Sequence, residues 1–191
     1  MQFVIEHLDP EVFPWSLLEY THISSVVGKD KLVFTNVLKD GGKLDGLGSV
    51  HKESVKDMIV DKKIDFKKVC VLDPLAEKEL SVDDDFDYFV FGGVLGNDPM
   101  DGRTEREITS FLPFSAKRSL GDKQMSTDTA VHVVKKIVVD KIEFKDMVFI
   151  DDPEIRLGQG YSQILPYRYL VVNDQLVFTP GLIQLLKDED Q

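Results

Sequence analysis

Short apolar runs, rich in β-branched and aromatic residues, alternate along the chain with longer segments whose apolar residues recur every three or four positions. The first kind of segment predicts strands and the second predicts helices. Strands are predicted at residues 3–8, 31–38, 69–72, 88–91, 116–120, 147–150 and 167–172. Helices are predicted at residues 14–27, 52–59, 104–112, 127–142 and 180–187. Because strands and helices mostly alternate, the pattern predicts an α/β fold with a mostly parallel sheet.

Two segments indicate most clearly how this sheet is covered. Residues 88–91 form a continuous apolar run, which suits a central strand with helices on both faces of the sheet. The helix at 127–142 carries one apolar stripe, formed by Ala130, Val133, Val134, Ile137 and Val138. No repeat or linker divides the sequence, so we expect one domain over residues 1–191. The glycine-dense segment 41–48 is expected to be a flexible surface loop.

The charge balance narrows the choice of partners. The 191 residues include 23 Lys and Arg against 34 Asp and Glu, which gives a net charge of −11 with histidine neutral. Binding to a nucleic-acid backbone depends largely on Lys and Arg, and no basic run here is longer than two residues. We therefore expect no DNA partner and favour a basic protein partner over RNA.

The remaining composition argues against several other classes of protein. The longest uncharged apolar stretch, residues 88–95, is far shorter than the ~20 residues that a membrane span needs. Residues 1–6 predict a strand instead of a leader peptide, so we expect a cytoplasmic protein without a membrane segment. The single cysteine, Cys70, excludes an internal disulfide and a four-cysteine zinc module. The four histidines lack metal-ligand spacing, so no metal is expected.

Three turns that contain glycine or proline follow predicted strands, at residues 72–74, 92–98 and 119–125. Ligands bind outside the carboxyl ends of the strands in an open parallel sheet, and glycine lets main-chain groups approach them. None of the turns carries the G-x-G-x-x-G fingerprint of dinucleotide sites or a P-loop. Each turn taken alone is better explained by ordinary turn chemistry.

Taken together, residues 89–96, 103–104 and 118–130 resemble the signature of the SPOUT methyltransferases. The order is that of the class: a glycine-rich turn after a central strand, then a Ser-Leu-Gly-Asp loop that leads into a long helix. The resemblance implies a sheet whose C-terminal part forms a trefoil knot, where S-adenosylmethionine binds in a bent conformation. The cofactor-binding residues that it implies are Leu72, Asp73, Pro74, Phe91, Gly92, Gly93, Leu95, Gly96, Asn97, Arg103, Ser119, Leu120, Gly121, Asp122, Met125, Thr127 and Thr129.

A narrower similarity extends over nearly the whole chain. Its motifs lie at residues 5–7, 15–20, 72–74, 149–154 and 166–169. They resemble a small family, long labelled predicted RNA methyltransferases, that includes a protein arginine methyltransferase acting on a ribosomal protein of the small subunit. The turn at 96–104 departs from the family pattern, because Asn97 replaces an acid and another acid has shifted to Asp101.

This resemblance implies an arginine substrate, and the chemistry of arginine suggests which residues hold it. The guanidinium keeps its proton in proteins, so carboxylates must hold it with one nitrogen aimed at the methyl donor. Glu6 and Glu19 are the first candidates for catalytic carboxylates, and Asp98 and Asp122, beside the cofactor turns, are the next. Trp15 is expected to bind the substrate by stacking on the guanidinium.

Each of these assignments has a structural alternative. Glu19 also fits a solvated helix carboxylate, Glu6 a structural ion pair, Trp15 a core residue and Asp122 a turn cap. His7 is expected to contact the substrate, although a lone histidine is usually structural. The competing functions are an RNA methyltransferase, which needs a local basic surface, and a non-catalytic binder in ribosome assembly. We expect a monomer, with a homodimer as the alternative.

Overall fold

The computed structural model describes residues 1–94, 102–158 and 160–189. Six strands form its central sheet: β1 (Gln2–His7), β2 (Leu32–Thr35), β3 (Ser49–Val50), β4 (Val69–Leu72), β5 (Tyr88–Gly93) and β6 (Ala116–Arg118). They lie in the order β3-β2-β1-β5-β4-β6, and every neighbouring pair runs parallel. The prediction of a mostly parallel sheet is therefore confirmed.

Helices cover both faces of this sheet, as the sequence predicted. The helices are α1 (Pro14–Val27), α2 (Val55–Val60), α3 (Arg103–Glu107), α4 (Thr127–Val138) and α5 (Leu182–Glu189). In β1, Phe3 and Ile5 point to the core shared with α1 and α4, while Val4 points to the core shared with α2. All three side chains are at most 1% exposed, so β1 is covered on both sides. The central position of β5 has the same cause, because Phe89, Val90 and Phe91 are buried too.

The last third of the chain does not continue the parallel sheet. β7 (Val148–Asp151), β10 (Arg168–Val172) and β11 (Gln175–Leu176) form an antiparallel sheet, and β8 (Glu154–Gly158) pairs with β9 (Tyr161–Ile164) in a separate hairpin. The strands predicted at 147–150 and 167–172 exist, but the described residues between them form the β8–β9 hairpin and no helix. Without a crossover helix, β7 and β10 pair antiparallel.

Several predicted elements end earlier than their apolar pattern does. The helix predicted over 127–142 ends at Val138, and Lys141 has a left-handed φ of 57°. The strand predicted over 31–38 ends at Thr35, because Asn36 has a φ of 58°. The helix predicted over 104–112 is α3 followed by a single 3₁₀ turn.

The glycine-dense segment 41–48 is more ordered than a flexible loop. It contains a 3₁₀ turn over Gly41–Leu44, and Leu44 is fully buried. A Cβ at Gly48 would lie 2.6 Å from the carbonyl oxygen of Leu32, so this glycine is required by close main-chain contact. No helix in the described parts of the chain has the length and apolar character needed to cross a membrane.

Candidate active site

A cavity opens at the carboxyl edge of the parallel sheet, where the turns after β4, β5 and β6 meet α1, α3 and the start of α4. Its volume of about 260 Å³ is close to the lower limit of the ~300–1000 Å³ that small-molecule sites occupy. The cofactor residues predicted from the sequence that line it are Leu72, Asp73, Pro74, Phe91, Gly92, Arg103, Leu120, Gly121, Met125 and Thr127. Their part in binding a cofactor stays a prediction.

The wall beside β4 is fixed by the buried carboxylate of Asp73. One oxygen accepts a hydrogen bond from the Thr109 hydroxyl at 2.6 Å, and the other accepts one from the Leu75 amide at 2.9 Å. Both oxygens therefore bind groups of the protein itself. Asp73 shapes the turn instead of offering a free charge to a ligand.

The opposite wall is formed by α1, which presents Trp15 and Glu19 one helical turn apart. The indole Nε1 of Trp15 donates a hydrogen bond of 2.8 Å to Oε1 of Glu19. Glu19 is 6% exposed, and burial together with the nearby carboxylate of Asp128 raises its pKa to about 8, despite hydrogen bonds from Trp15 and Thr127. The site thus contains a buried carboxyl group that is mostly neutral at pH 7.

Asp128 lies behind this wall and was not among the predicted site residues. Its carboxylate accepts hydrogen bonds from Thr179 and Ser126, and it pairs with Nδ1 of His22 at 2.8 Å. Burial alone would raise the pKa of Asp128, but these three partners hold it below its ordinary value. The same motif that supplied Thr127 and Thr129 to the prediction contains Asp128, and that position was its only sequence signal.

Two arginines at the cavity are held by acidic side chains. Arg103 donates to both carboxylate oxygens of Glu107, at 2.8 and 3.2 Å, and lies 3.4 Å from Asp9. Arg118 binds Asp84 in the same bidentate way, at 2.8 and 2.7 Å. These pairs neutralise the arginines and fix the walls that they form.

Three of the residues predicted for catalysis or substrate binding lie outside the cavity. Glu6 points to the other face of the sheet, where its carboxylate binds the Thr35 hydroxyl and the Val55 amide. His7 is buried, with Nδ1 2.9 Å from the Tyr20 hydroxyl. Asp122 is an exposed side chain, 84% accessible, that lies 3.4 Å from Arg168. The structure therefore does not bring Glu6, His7 and Asp122 together with Glu19. Their predicted roles in catalysis and substrate binding stay predictions.

The remaining predicted residues support the cavity from behind or cannot be placed. A Cβ at Gly93 would lie 2.5 Å from the Tyr20 hydroxyl, so this glycine serves core packing and does not form a wall. Ser119 continues main-chain pairing with Lys78 and Leu80. The Thr129 hydroxyl lies 2.9 Å from the Ser126 hydroxyl, behind the cavity. The predicted residues that lie outside the described ranges are Leu95, Gly96, Asn97 and Asp98.

The cavity also includes residues that the predicted set lacked: Leu75, Val94, Gly102, Thr104, Arg118, Lys123, Gln124, Ser126, Ala130 and Tyr167. All except Leu75 and Gly102 lie inside motifs that carry the family resemblance, so position within a motif was the available signal. Within the described ranges, no three His, Cys, Asp or Glu side chains are grouped as ligands for a metal ion.

Comparisons with known proteins agree on one family. Residues 2–191 match the family model described as "Protein arginine N-methyltransferase SFM1-like". The chain is 34% identical over 203 residues to protein arginine N-methyltransferase SFM1 of Saccharomyces cerevisiae, covering 99% of this chain and 95% of the yeast protein. The crystal structure of that yeast enzyme complexed with SAM superposes with a TM-score of 0.89, at 34% identity, over 98% of this chain and 90% of the yeast chain.

A more distant likeness supports the fold alone. The crystal structure of a dual specific Trm10 from Thermococcus kodakaraensis matches with a TM-score of 0.58 at 16% identity, over 76% of this chain and 96% of that chain. The yeast enzyme and Trm10 are both SPOUT methyltransferases. The chain therefore has the SPOUT fold, and the knot itself stays an expectation from that class.

Proposed function

Because this chain belongs to the family of SFM1-like protein arginine N-methyltransferases, we propose that it transfers a methyl group from S-adenosylmethionine to an arginine side chain of a protein. The observation that carries the proposal is the buried carboxyl group of Glu19 in the wall of a cavity built from three strand-end turns. A cavity of this size suits a small molecule, and the carboxyl group suits a cation.

The chemistry of the cavity fits S-adenosylmethionine. In the wall of the cavity, Gly121 has a φ of +78°, and a Cβ at this position would lie 3.1 Å from the Phe144 ring. Both features require glycine, so no side chain covers the main chain of this turn. When bound, the cofactor supplies an activated methyl group on a positively charged sulfur. Four apolar side chains of the wall would hold its adenosine part: Leu72, Phe91, Leu120 and Met125.

Glu19 supplies the negative charge that an arginine requires. A carboxyl group with a pKa near 8 is mostly protonated in the free protein at pH 7. An arriving guanidinium cation favours the ionised form, so the proton leaves to solvent as the arginine binds. The carboxylate then holds the guanidinium and accepts the proton that one nitrogen loses when it is methylated.

Trp15 contributes a second contact for the same cation. Its indole lines the cavity and is oriented by the hydrogen bond from Nε1 to Glu19. A guanidinium held by Glu19 would stack on the neighbouring aromatic ring, which is worth ~0.5–2 kcal/mol depending on exposure. Arginine is preferred over lysine at such a site because its planar group both stacks and binds a carboxylate with two nitrogens.

The proposed substrate is a basic protein, and within that class a ribosomal protein of the small subunit. A net charge of −11 attracts positively charged partners and repels nucleic-acid backbones. The ribosomal identity comes from the family resemblance alone. The cytoplasmic location and the monomeric state stay predictions.

Transfer of a labelled methyl group tests the proposal. Purified protein is incubated with S-adenosylmethionine labelled in the methyl group, together with separated small-subunit proteins or with ribosomal RNA. We expect label on arginine in the protein fraction and none in the RNA fraction. Label in RNA alone would favour the RNA methyltransferase. Cofactor binding without transfer would favour the non-catalytic binder. Absence of cofactor binding would contradict the methyltransferase function.

A further inference from the structure

A buried hydrogen-bonded cluster joins three separate parts of the chain directly behind Glu19. At its centre Asp128, in the first turn of α4, is 3% exposed. Its Oδ2 is 2.8 Å from Nδ1 of His22 on α1 and accepts a bond of 2.6 Å from the Thr179 hydroxyl, just before α5. Its Oδ1 accepts a bond of 2.7 Å from Ser126. We call these four residues the Asp128 cluster.

The Asp128 cluster is satisfied internally and is therefore rigid. A buried carboxylate is costly unless its oxygens are hydrogen-bonded, and here both oxygens of Asp128 have partners. The partners also hold its pKa below the ordinary value in spite of burial, so the group is anionic at neutral pH. The methyl-transfer chemistry described above uses none of these four side chains.

The Asp128 cluster and the site of Glu19 share the same two helices. Glu19 and His22 lie three residues apart on α1, and Thr127 and Asp128 are adjacent at the start of α4. Thr127 approaches Glu19 and also lies 3.3 Å from the carbonyl oxygen of Gly92, which lines the cavity. The link between His22 and Asp128 therefore fixes the separation of α1 and α4, which both contribute side chains to the cavity.

We propose that Asp128 is a positioning residue for Glu19: through His22 and Thr179 it fixes α1 against α4 and so places the carboxyl group of Glu19 in the cavity wall. Its charge adds to burial, which is the larger cause, in keeping Glu19 uncharged until an arginine cation arrives. The inference rests on the proposed function and deepens it, because it names what controls the carboxyl group that holds the substrate. The negative charge of one carboxylate disfavours the ionisation of a second carboxylate near it.

The other titratable groups around Asp128 do not supply the negative charge that helps to raise the pKa of Glu19. His22 and Glu19 face it from α1, His132 lies one turn further along α4, and Tyr169 lies on β10. Burial lowers the pKa of His132 to about 4, and burial raises the pKa of the Tyr169 hydroxyl far above neutral, so both are uncharged near pH 7. Asp128 is thus the negative charge that acts on Glu19.

Substitutions at the two ends of the link test the proposal. Asp128→Asn keeps the size of the side chain and one oxygen acceptor but removes the charge. We expect kcat to fall by ~10²-fold, as for a small displacement of a reacting group. Cofactor affinity should be unchanged, and the midpoint of the rise of kcat with pH should move to lower pH. His22→Ala should lower kcat, and His22→Asn, whose amide nitrogen replaces Nδ1, should recover most of the loss.

A measurement without turnover separates this inference from the proposed function. Carboxyl ¹³C resonances followed by pH titration report the midpoint of Glu19 in the free protein, and Asp128→Asn should lower it. A shifted midpoint in a protein that transfers no methyl group would support the action of Asp128 on Glu19 while the proposed function fails. An unmoved midpoint would overturn the inference, as would equal impairment of His22→Ala and His22→Asn with lowered thermal stability. Should Asp128→Asn not fold, the His22 pair decides.

Discussion

The two faces of the sheet each bury one glutamate at the carboxyl edge, and the two glutamates are held in different ways. Glu6 and Glu19 are both 6% exposed, and burial is the largest cause that raises the pKa of each. Glu6 accepts hydrogen bonds from the Thr35 hydroxyl and the Val55 amide, and so connects β1 to β2 and α2. Glu19 is bonded instead to side chains at the cavity, with a second carboxylate behind it.

The difference shows how a structural carboxylate can be distinguished from one available to a ligand. A carboxylate that binds a main-chain amide and a hydroxyl of adjoining elements already has the partners that burial demands. Glu19 lines the cavity at the strand-end turns, and burial and the carboxylate of Asp128 raise its pKa. The exposed fraction of the side chain alone would not have distinguished Glu6 from Glu19.

The largest expected effect is on turnover, and it tests the comparison directly. Glu19→Gln removes the charge that we propose to hold the guanidinium, so we expect turnover on a basic peptide to fall by at least ~10²-fold, the usual cost of losing an oriented electrostatic partner. The matched variant Glu6→Gln should retain most of the activity, because Glu6 lies outside the cavity. Calorimetry with S-adenosylhomocysteine should give equal affinities for both variants. Equal loss of turnover in the two variants would contradict the distinction.

The sequence could not distinguish these two glutamates, for a physical reason. In a strand, the side chains of neighbouring residues point to opposite faces of the sheet, so the side chains of Ile5 and Glu6 must lie on different faces. Both sides of β1 are apolar, however, and no polarity pattern indicates which side carries α1. Residues of all three predicted cofactor turns line one cavity, because strand ends in a parallel sheet converge whatever the details of packing.

Contacts between distant parts of the chain were the other feature that periodicity could not supply. Asp128 pairs with His22 across 106 residues and with Thr179 across 51. Neither separation follows from local spacing, and a threonine before a C-terminal helix carries no signal of its own. The antiparallel region after β7 was missed for a related reason, since alternating apolar residues predict a strand but not its partner.

The second prediction concerns stability as a function of pH. A carboxyl group whose pKa is raised in the folded state stabilises the fold below its ordinary pKa of 4.5, and this contribution is lost as pH rises through about 8. Glu19→Gln cannot ionise, so its stability relative to wild type should increase between these limits by on the order of 1 kcal/mol per pH unit. Urea unfolding at several pH values measures this difference.

The control for the pH window is the charge behind Glu19. Asp128 contributes to the raised pKa of Glu19. The Asp128→Asn variant should therefore lose stability from this ionisation over a narrower range of pH than wild type does. Parallel stability curves for wild type and Glu19→Gln would show that Glu19 ionises as it does in the unfolded chain, and the comparison with Glu6 would lose its basis.

The smallest expected effect comes from two adjacent glycines at the end of β5, which face the two sides of the sheet. A Cβ at Gly93 would lie 2.5 Å from the Tyr20 hydroxyl and 2.6 Å from Cγ2 of Ile5, so Gly93→Ala must displace α1 or β1. A Cβ at Gly92 meets only Thr104 at 3.4 Å and other side chains further away, which is ordinary contact. Overpacking of this kind costs ~1–3 kcal/mol, so Gly93→Ala should lower stability by that amount.

Gly92→Ala is the matched control, because neither glycine has a left-handed φ and alanine strains the main chain at neither position. We expect its stability to stay near that of wild type or to rise slightly, since alanine restricts the unfolded chain by ~0.4–1 kcal/mol. Denaturant unfolding of the two variants gives the difference. If Gly93→Ala were as stable as Gly92→Ala, α1 would not pack tightly against β5. The packing of α1, which carries Glu19, would then be less close than the distance of 2.5 Å to the Tyr20 hydroxyl indicates.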